Sequence, residues 1–179
     1  MIQMSLRSHI FRSNGYSTKT SYIHMEEKIL NREFTAEKPN EKWITDITQM
    51  VYGFGNKAYF SAIKGLYDSS IVAYQVGRYN DNPLVMNTLK EAIEANPDAT
   101  PLIHSDRGSQ YTSKEYLYLT TEAGMKCSMS RVGNCIDNEP IESFFGHFKC
   151  ESYDLKNYKN FEELEKDIDK YITFYNEER

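Results

Sequence analysis

The order of the hydrophobic patterns is the feature that most restricts the fold of this chain. Three consecutive segments, at residues 42–51, 57–66 and 70–78, are rich in β-branched and aromatic residues, and short turns separate them. Beyond residue 80, helical spacing alternates with short apolar runs. Three antiparallel strands followed by strands that alternate with helices predict an α/β fold, in which helices flank a mixed sheet.

The second half of the chain supplies the remaining elements. Asn82 and Pro83 are typical of a helix start, with Asn82 as the N-cap, and Pro97 ends that helix. A capping box of Asn160 and Glu163 begins the last helix. Between them we predict a strand at 100–105, a helix at 113–124, a strand at 125–130 and a helix at 140–152. The order β-β-β-α-β-α-β-α-α resembles a ribonuclease-H-like core, with three antiparallel and two parallel strands.

Composition excludes several classes of protein. At 179 residues the chain can form one domain with a rigid core. No apolar stretch approaches the roughly 20 residues that cross a bilayer, and no signal peptide precedes the body, so we expect a cytoplasmic protein without a membrane partner. The three cysteines, Cys127, Cys135 and Cys150, lack the spacing of a zinc finger or a disulfide framework, so we expect reduced thiols.

Charge is unevenly distributed along the chain. The net charge is −5, yet residues 1–25 contain three basic residues and no acid, which leaves −8 on the remainder. Pro39 and Asn40, in "TAEKPNEKW", mark a boundary between a basic arm at 1–38 and a main domain at 39–179. The arm is either a solvated tail or a segment that contacts the phosphate backbone of a nucleic acid.

Three carboxylates occupy unusual positions. Asp46 lies within the first apolar strand, where an unpaired charge costs several kcal/mol. Asp106 ends the fourth strand, which lies next to the first in a sheet of this order. Glu142 lies off the apolar stripe of its helix. Singly, Asp106 could cap a turn and Glu142 could be a solvated residue.

Clustered carboxylates would favour a divalent cation, because their mutual repulsion raises their pKa values unless a positive charge compensates. A ligand set made only of oxygens suits magnesium or manganese. Two such ions, about 3.5–4 Å apart, can hold the attacking and leaving oxygens of a phosphoryl transfer. The three acids therefore indicate a candidate site for phosphodiester chemistry.

Three motifs carry a specific resemblance. The segments "WITDIT", "HSDRGSQYTS" and "NCIDNEPIESFFGHFKCE" closely resemble the catalytic motifs of insertion-sequence transposases whose second reading frame encodes an integrase-like core. Between Asp106 and Glu142 lie 35 residues, which matches the D,D(35)E spacing of transposases and retroviral integrases. The likeness covers about residues 30–179.

The resemblance implies a metal-dependent enzyme that cuts DNA at element ends and transfers the freed 3′-hydroxyl to target DNA. It implies that Asp46, Asp106 and Glu142 bind two Mg²⁺ ions, for which Mn²⁺ can substitute, and that the protein forms a homo-oligomer on DNA. The arm at 1–38 would then lead from a missing upstream DNA-binding domain, and the C-terminus would be truncated. The alternatives are an inactive remnant or DNA-binding adaptor, and a related ribonuclease-H-like nuclease.

The remaining expectations concern single residues. We predict DNA contacts at Arg131, in the polar loop 130–138, and at Asn138 and Lys149, which flank Glu142 on its helix. These transposases usually carry Ile-Asp where this chain has Lys64 and Gly65, a departure expected to weaken a local turn or contact but not the triad.

Overall fold

The computed structural model of the protein describes residues 34–130 and 138–178. Its described elements follow the predicted order, with a short 3-10 segment at Tyr153–Leu155 before the last helix. The strands are β1 (Lys42–Tyr52), β2 (Asn56–Gly65), β3 (Ile71–Gly77), β4 (Leu102–Ser105) and β5 (Lys126–Met129). The helices are α1 (Asn82–Ala95), α2 (Lys114–Glu122), α3 (Glu139–Glu151) and α4 (Phe161–Glu177).

The five strands form one mixed sheet in the order β3-β2-β1-β4-β5. β1, β2 and β3 are antiparallel neighbours, whereas β4 is parallel to β1 and β5 is parallel to β4. The tight turn from β1 to β2 uses Gly53 and Gly55 at φ values of 56° and 92°, which glycine adopts without strain. The sheet confirms the predicted fold class and the predicted contact between the first and fourth strands.

Side chains that alternate along β1 divide the core into two layers. Ile44 packs with α3 and α4 on one face of the sheet. Trp43 packs with α1 and α2 on the other face, where its side chain is fully buried and its indole N–H donates to Asn40 Oδ1 at 3.1 Å. Because consecutive strand residues point to opposite faces, Asp46 shares the α3 and α4 face with Ile44.

Helix capping differs from the prediction at one position. The N-cap of α1 is Asp81, whose Oδ1 accepts from the Leu84 N–H at 3.2 Å. Asn82, which the sequence predicted as the cap, is the first helical residue instead, because Pro83 tolerates either of the first two helical positions. Ser113 caps α2 and Asn160 caps α4 through their side chains, and the latter confirms the predicted start of the last helix.

The turn after β2 is intact despite the departure at Lys64 and Gly65. The Gly65 N–H donates to the Ser70 carbonyl at 2.9 Å, and Asp68 Oδ1 accepts from both the N–H and the hydroxyl of Ser70. Lys64 makes contacts of its own with α3 and α4. Most of the predicted arm at 1–38 lies outside the described residues. Among those described, no helix is long and apolar enough to span a membrane.

Candidate active site

The neighbouring strands β1 and β4 bring Asp46 and Asp106 close together. β1 and β4 run parallel with Ile44 opposite His104, so Asp46 and Asp106 lie two residues beyond this matched pair. β4 ends at Ser105, and the chain turns away immediately after it. Asp106 is therefore the first residue beyond the strand, beside the middle of β1.

The surroundings of Asp46 disfavour its ionisation. Burial, followed by the charges of Asp106 and Glu142, raises the pKa of Asp46 to about 6, although hydrogen bonds from the Ile47 N–H and the Asn138 side chain lower it. The Ile47 N–H donates to Asp46 Oδ1 at 2.7 Å. An acid in this environment gains from any cation that neutralises its charge.

Asp106 closes the loop that follows β4. Its Oδ1 accepts from the Gly108 N–H at 2.8 Å, so the residue does form the turn that the sequence allowed as an ordinary role. A Cβ atom added at Gly108 would lie 3.0 Å from Asp106 Oδ1 and 3.3 Å from the Tyr111 ring. A side chain at this position would therefore require the Asp106 carboxylate or the Tyr111 ring to shift by a few tenths of an ångström.

Glu142 approaches from the first turn of α3. Its side chain is exposed, whereas the neighbouring apolar residues of α3 are buried against the sheet, namely Ile141, Phe144, Phe145 and Phe148. Glu142 thus lies off the apolar stripe, as the sequence predicted. Because its charge raises the pKa of Asp46, the three predicted acids share one electrostatic environment.

The chemistry of the three acids fits a divalent cation, but their side chains are not arranged in a metal-binding geometry. Within 34–130 and 138–178, no group of three His, Cys, Asp or Glu side chains is arranged to hold a metal. Asp46 and Asp106 each accept a backbone N–H instead. Beside them, the buried Oδ1 of Asn138 lacks a hydrogen-bond partner among the described residues. Carboxylates with a spare amide oxygen form the oxygen-rich environment that Mg²⁺ and Mn²⁺ prefer.

The residues predicted to contact DNA differ in their surroundings. Asn138 is 3% exposed and its side chain donates to Asp46. Lys149 is half-buried in the last turn of α3. Arg131 lies outside the described residues, as does most of the loop 130–138. His104 is buried, and its two ring nitrogens face the hydroxyls of Ser128 and Ser130 at 3.0 and 3.2 Å.

The structure places two further side chains, Lys64 and Tyr111, close to the acids or to the helix that carries Glu142. Lys64 is 7% exposed and reaches the first turn of α3, a contact that no local pattern in β2 indicates. The Tyr111 hydroxyl is fully buried, and the charges of Asp46 and Asp106 contribute, after burial, to raising its pKa. Thr45 is close enough to oppose that rise, yet no hydrogen bond to the Tyr111 hydroxyl forms within the described structure. The position of Tyr111 five residues after Asp106 was the sole signal in the sequence.

Comparison with known proteins identifies relatives along nearly the whole described region. Residues 36–135 match a family described as integrase core domain, and residues 123–179 match a second family of the same description. An uncharacterized transposase-like protein of Haemophilus influenzae is 44% identical over 156 residues, which cover 87% of this chain and 72% of that protein. The putative transposase InsK for insertion sequence element IS150 of Escherichia coli is 39% identical, covering 84% of this chain and 53% of the relative.

A third relative extends across the chain. The insertion element IS600 31 kDa protein of Shigella sonnei is 39% identical over 183 residues, covering 99% of this chain and 67% of that protein. The chain therefore spans between 53% and 72% of the length of these three relatives.

Solved structures share the fold at low sequence identity. The HTLV-2 integrase catalytic core domain in complex with magnesium superimposes with a TM-score of 0.57 at 17% identity, covering 79% of this chain and 89% of that chain. A chain of the simian T-cell lymphotropic virus intasome in complex with PP2A regulatory subunit B56 gamma gives a TM-score of 0.59 at 19% identity, covering 65% of this chain and 41% of that chain. The mixed sheet with helices on both faces is thus the fold of retroviral integrase cores.

Proposed function

Because the chain belongs to the integrase core domain family, we propose that it is the catalytic core of an insertion-sequence transposase. In this proposal it cuts a phosphodiester at an element end, and the freed 3′-hydroxyl then attacks target DNA. The observation that carries the proposal is that Asp46 and Asp106 lie at matching positions of the neighbouring strands β1 and β4, where Asp106 and Glu142 both act on the half-buried Asp46 carboxylate. Three acids from β1, the end of β4 and α3 then serve one reaction centre.

The proposed ligands of the metal are Asp46, Asp106 and Glu142, with Mg²⁺ as the natural ion and Mn²⁺ as a substitute. Two bound ions would activate the attacking hydroxyl and neutralise the charge that develops on the phosphate. The chain itself contributes the arrangement of the acids. The Ile47 and Gly108 N–H groups orient the carboxylates of Asp46 and Asp106, and the Asn138 side chain donates to Asp46.

DNA binding and assembly are the finer parts of this proposal. Lys149 lies two helical turns beyond Glu142, a distance of about 10 Å along α3, on nearly the same side of the helix. Its flexible stem can reach a phosphate near the reacting bond. The basic arm at 1–38 would connect the core to an upstream DNA-binding domain, and two or more copies would assemble on the element ends.

A DNA joining assay tests the proposal. The protein is incubated with labelled, pre-cut duplexes that carry the ends of its element, together with plasmid DNA and Mg²⁺. Joined products support the transposase. Cut but unjoined DNA would indicate a nuclease, and binding without either product would indicate an adaptor.

Paired glutamate variants make the assay specific. Glu139 and Glu142 are both exposed acids in the first turn of α3, and Glu142 acts on Asp46. Glu142→Gln should reduce joining by at least about 100-fold, since one ligand of the proposed ions is lost. Glu139→Gln should retain parental activity. Equal activity in the two variants would remove Glu142 from the proposed site.

A further inference from the structure

Lys64 is a buried cation on the same face of the sheet as Asp46. It lies in β2 opposite Ile44 of β1, whereas Asp46 lies opposite Ala62. Lys64 and Asp46 are therefore diagonal neighbours on one face, a spacing of about 7–8 Å that long side chains can bridge. The register between β2 and β3 shifts between Ile63 and Lys64, an irregularity of the kind that redirects side chains next to active sites.

The ammonium group of Lys64 contacts the start of the helix that carries Glu142. Its Nζ donates to the carbonyl oxygen of Pro140, two residues before Glu142, at 3.1 Å. The same Nζ lies 5.8 Å from the centre of the Tyr175 ring on α4. The Lys64 side chain thus links the sheet to the first turn of α3 and to α4.

The first turn of α3 lacks the usual side-chain cap. Asn138 occupies the N-cap position, but its side chain makes no capping hydrogen bond, and it donates to Asp46 instead. A helix start without a cap loses about 1 kcal/mol and opens more readily. The bond from Lys64 to Pro140 supplies an anchor at the place where the capping bond is missing.

We propose that Lys64 is a positioning residue, which fixes the first turn of α3 and so holds Glu142 over Asp46. The anchoring of α3 by Lys64 is a property of the fold. Its consequence, the assembly of the metal site, rests on the proposed function. This anchoring assigns a role to the position at which this chain departs from the Ile-Asp pair of similar transposases.

The sign of the effect on metal binding separates anchoring from charge. A lysine near a cation site repels the cation, so removing its charge should strengthen metal binding if charge alone matters. Loss of the anchor should weaken metal binding, because Glu142 is then less well placed. Supporting residues around a metal site typically change its affinity by 10- to 100-fold.

Lys64→Met is the test variant, because methionine keeps the apolar stem and removes the ammonium group. Tyr153→Phe is the matched control, since Tyr153 links the sheet to the chain just after the other end of α3. Its hydroxyl accepts from the Val51 N–H at 2.7 Å and donates to the Val51 carbonyl at 2.9 Å. The free energy of unfolding cannot test the anchoring, because replacing a buried charge by an apolar group can itself stabilise the protein.

Two measurements are made on both variants and on the parent chain. Amide hydrogen exchange without metal should be faster at residues 142–145 in Lys64→Met, and at the opposite end of α3 in Tyr153→Phe. Mn²⁺ affinity, measured from free Mn²⁺ by electron paramagnetic resonance, should fall roughly ten-fold in Lys64→Met and stay parental in Tyr153→Phe.

Either measurement can overturn the inference. Unchanged exchange at residues 142–145 in Lys64→Met would show that Lys64 does not anchor α3. Equal or tighter Mn²⁺ binding than in the parent would show that Lys64 acts through its charge alone or not at all. If the parent binds no Mn²⁺, the proposed function fails, whereas the exchange measurement still decides whether Lys64 anchors the helix.

Discussion

At the scale of single residues, the environment of Asp46 explains why a carboxylate is kept inside a strand. Its raised pKa means that the metal-free protein stores unfavourable energy at this position whenever Asp46 is ionised. The sequence predicted the three acids because a charge in an apolar strand and a specific spacing are visible without coordinates. The sequence did not predict the contact of Lys64 with α3 or the burial of the Asn138 side chain. Both depend on which strand and which helix meet in space.

The pH dependence of stability should reveal Asp46. Its pKa is 3.8 in the unfolded chain and about 6 in the folded protein, so the folded state retains a proton between about pH 4 and 6 that the unfolded state loses. Stability therefore falls as pH rises through this window, by on the order of 2–3 kcal/mol. Asp46→Asn cannot ionise, and without metal it should exceed the parent in stability at pH 7.5 and match it near pH 4.

Urea unfolding in the presence of a chelator measures this difference. Asp68 and Asp167 have lowered pKa values, so their contributions are lost as pH falls below about 4, but they are common to both proteins and cancel. Asp98→Asn, at an exposed position after α1, is the control and should follow the parent at every pH. Parallel curves for the parent and Asp46→Asn would contradict the burial and charge account of Asp46.

Lys149 should contribute to DNA affinity through one phosphate contact. Lys149→Ala should weaken binding to DNA, and the slope of log affinity against log salt should become shallower by about one. Lys90→Ala is the matched control, because Lys90 is exposed on α1, on the opposite face of the sheet from α3. Identical salt slopes in the two variants would leave Lys149 as an ordinary surface lysine.

At the scale of elements, polar bonds as well as apolar packing fix α3 and α4 relative to each other. Asp167 on α4 accepts three hydrogen bonds, from Ser152 at 2.7 Å, Lys156 at 2.6 Å and Tyr158 at 2.7 Å. Although burial opposes it, these bonds lower the pKa of Asp167. They hold the connection between the two helices against the start of α4.

Asp167→Asn should therefore destabilise the protein without affecting its metal site. The loss at pH 7 should be about 1–3 kcal/mol, since a half-buried charge with three hydrogen bonds is removed. The difference in unfolding free energy between the parent and Asp167→Asn should narrow as pH falls below about 4, because the parent carboxylate then takes up a proton. Urea unfolding checks the loss against Asp154→Asn, an exposed acid in the same connection. A loss below about 0.5 kcal/mol would show that the three bonds contribute little.

Element boundaries show what sequence patterns can and cannot specify. The capping box at Asn160 placed the start of α4 correctly, because a capping side chain bonds within its own turn. β4 and β5, at Leu102–Ser105 and Lys126–Met129, are shorter than the predicted 100–105 and 125–130. Strand ends depend on where the neighbouring strand stops, and that information is not local in the chain.

At the scale of the whole molecule, the order of patterns was sufficient to predict the mixed sheet. Three adjacent strands joined by tight turns must be antiparallel, and strands joined through α1 and α2 must be parallel. Strand direction does not by itself fix strand order; the observed sheet places β4 beside β1, and so Asp106 beside Asp46. The two-layered core follows from alternation along β1, with Trp43 and Ile44 on opposite faces. The topology does not fix how the three acids would be arranged around the proposed ions, because a cation is needed to overcome their repulsion.

The most direct test of a three-acid metal site is a Mn²⁺ binding isotherm for the parent and for Asp46→Asn, Asp106→Asn and Glu142→Gln. Free Mn²⁺ is measured by electron paramagnetic resonance at pH 7.5, where Asp46 is largely ionised. The parent should bind up to two ions, and each variant should lose at least about ten-fold in affinity, since each removes one charged ligand. Parental binding in all three variants would contradict the proposed site.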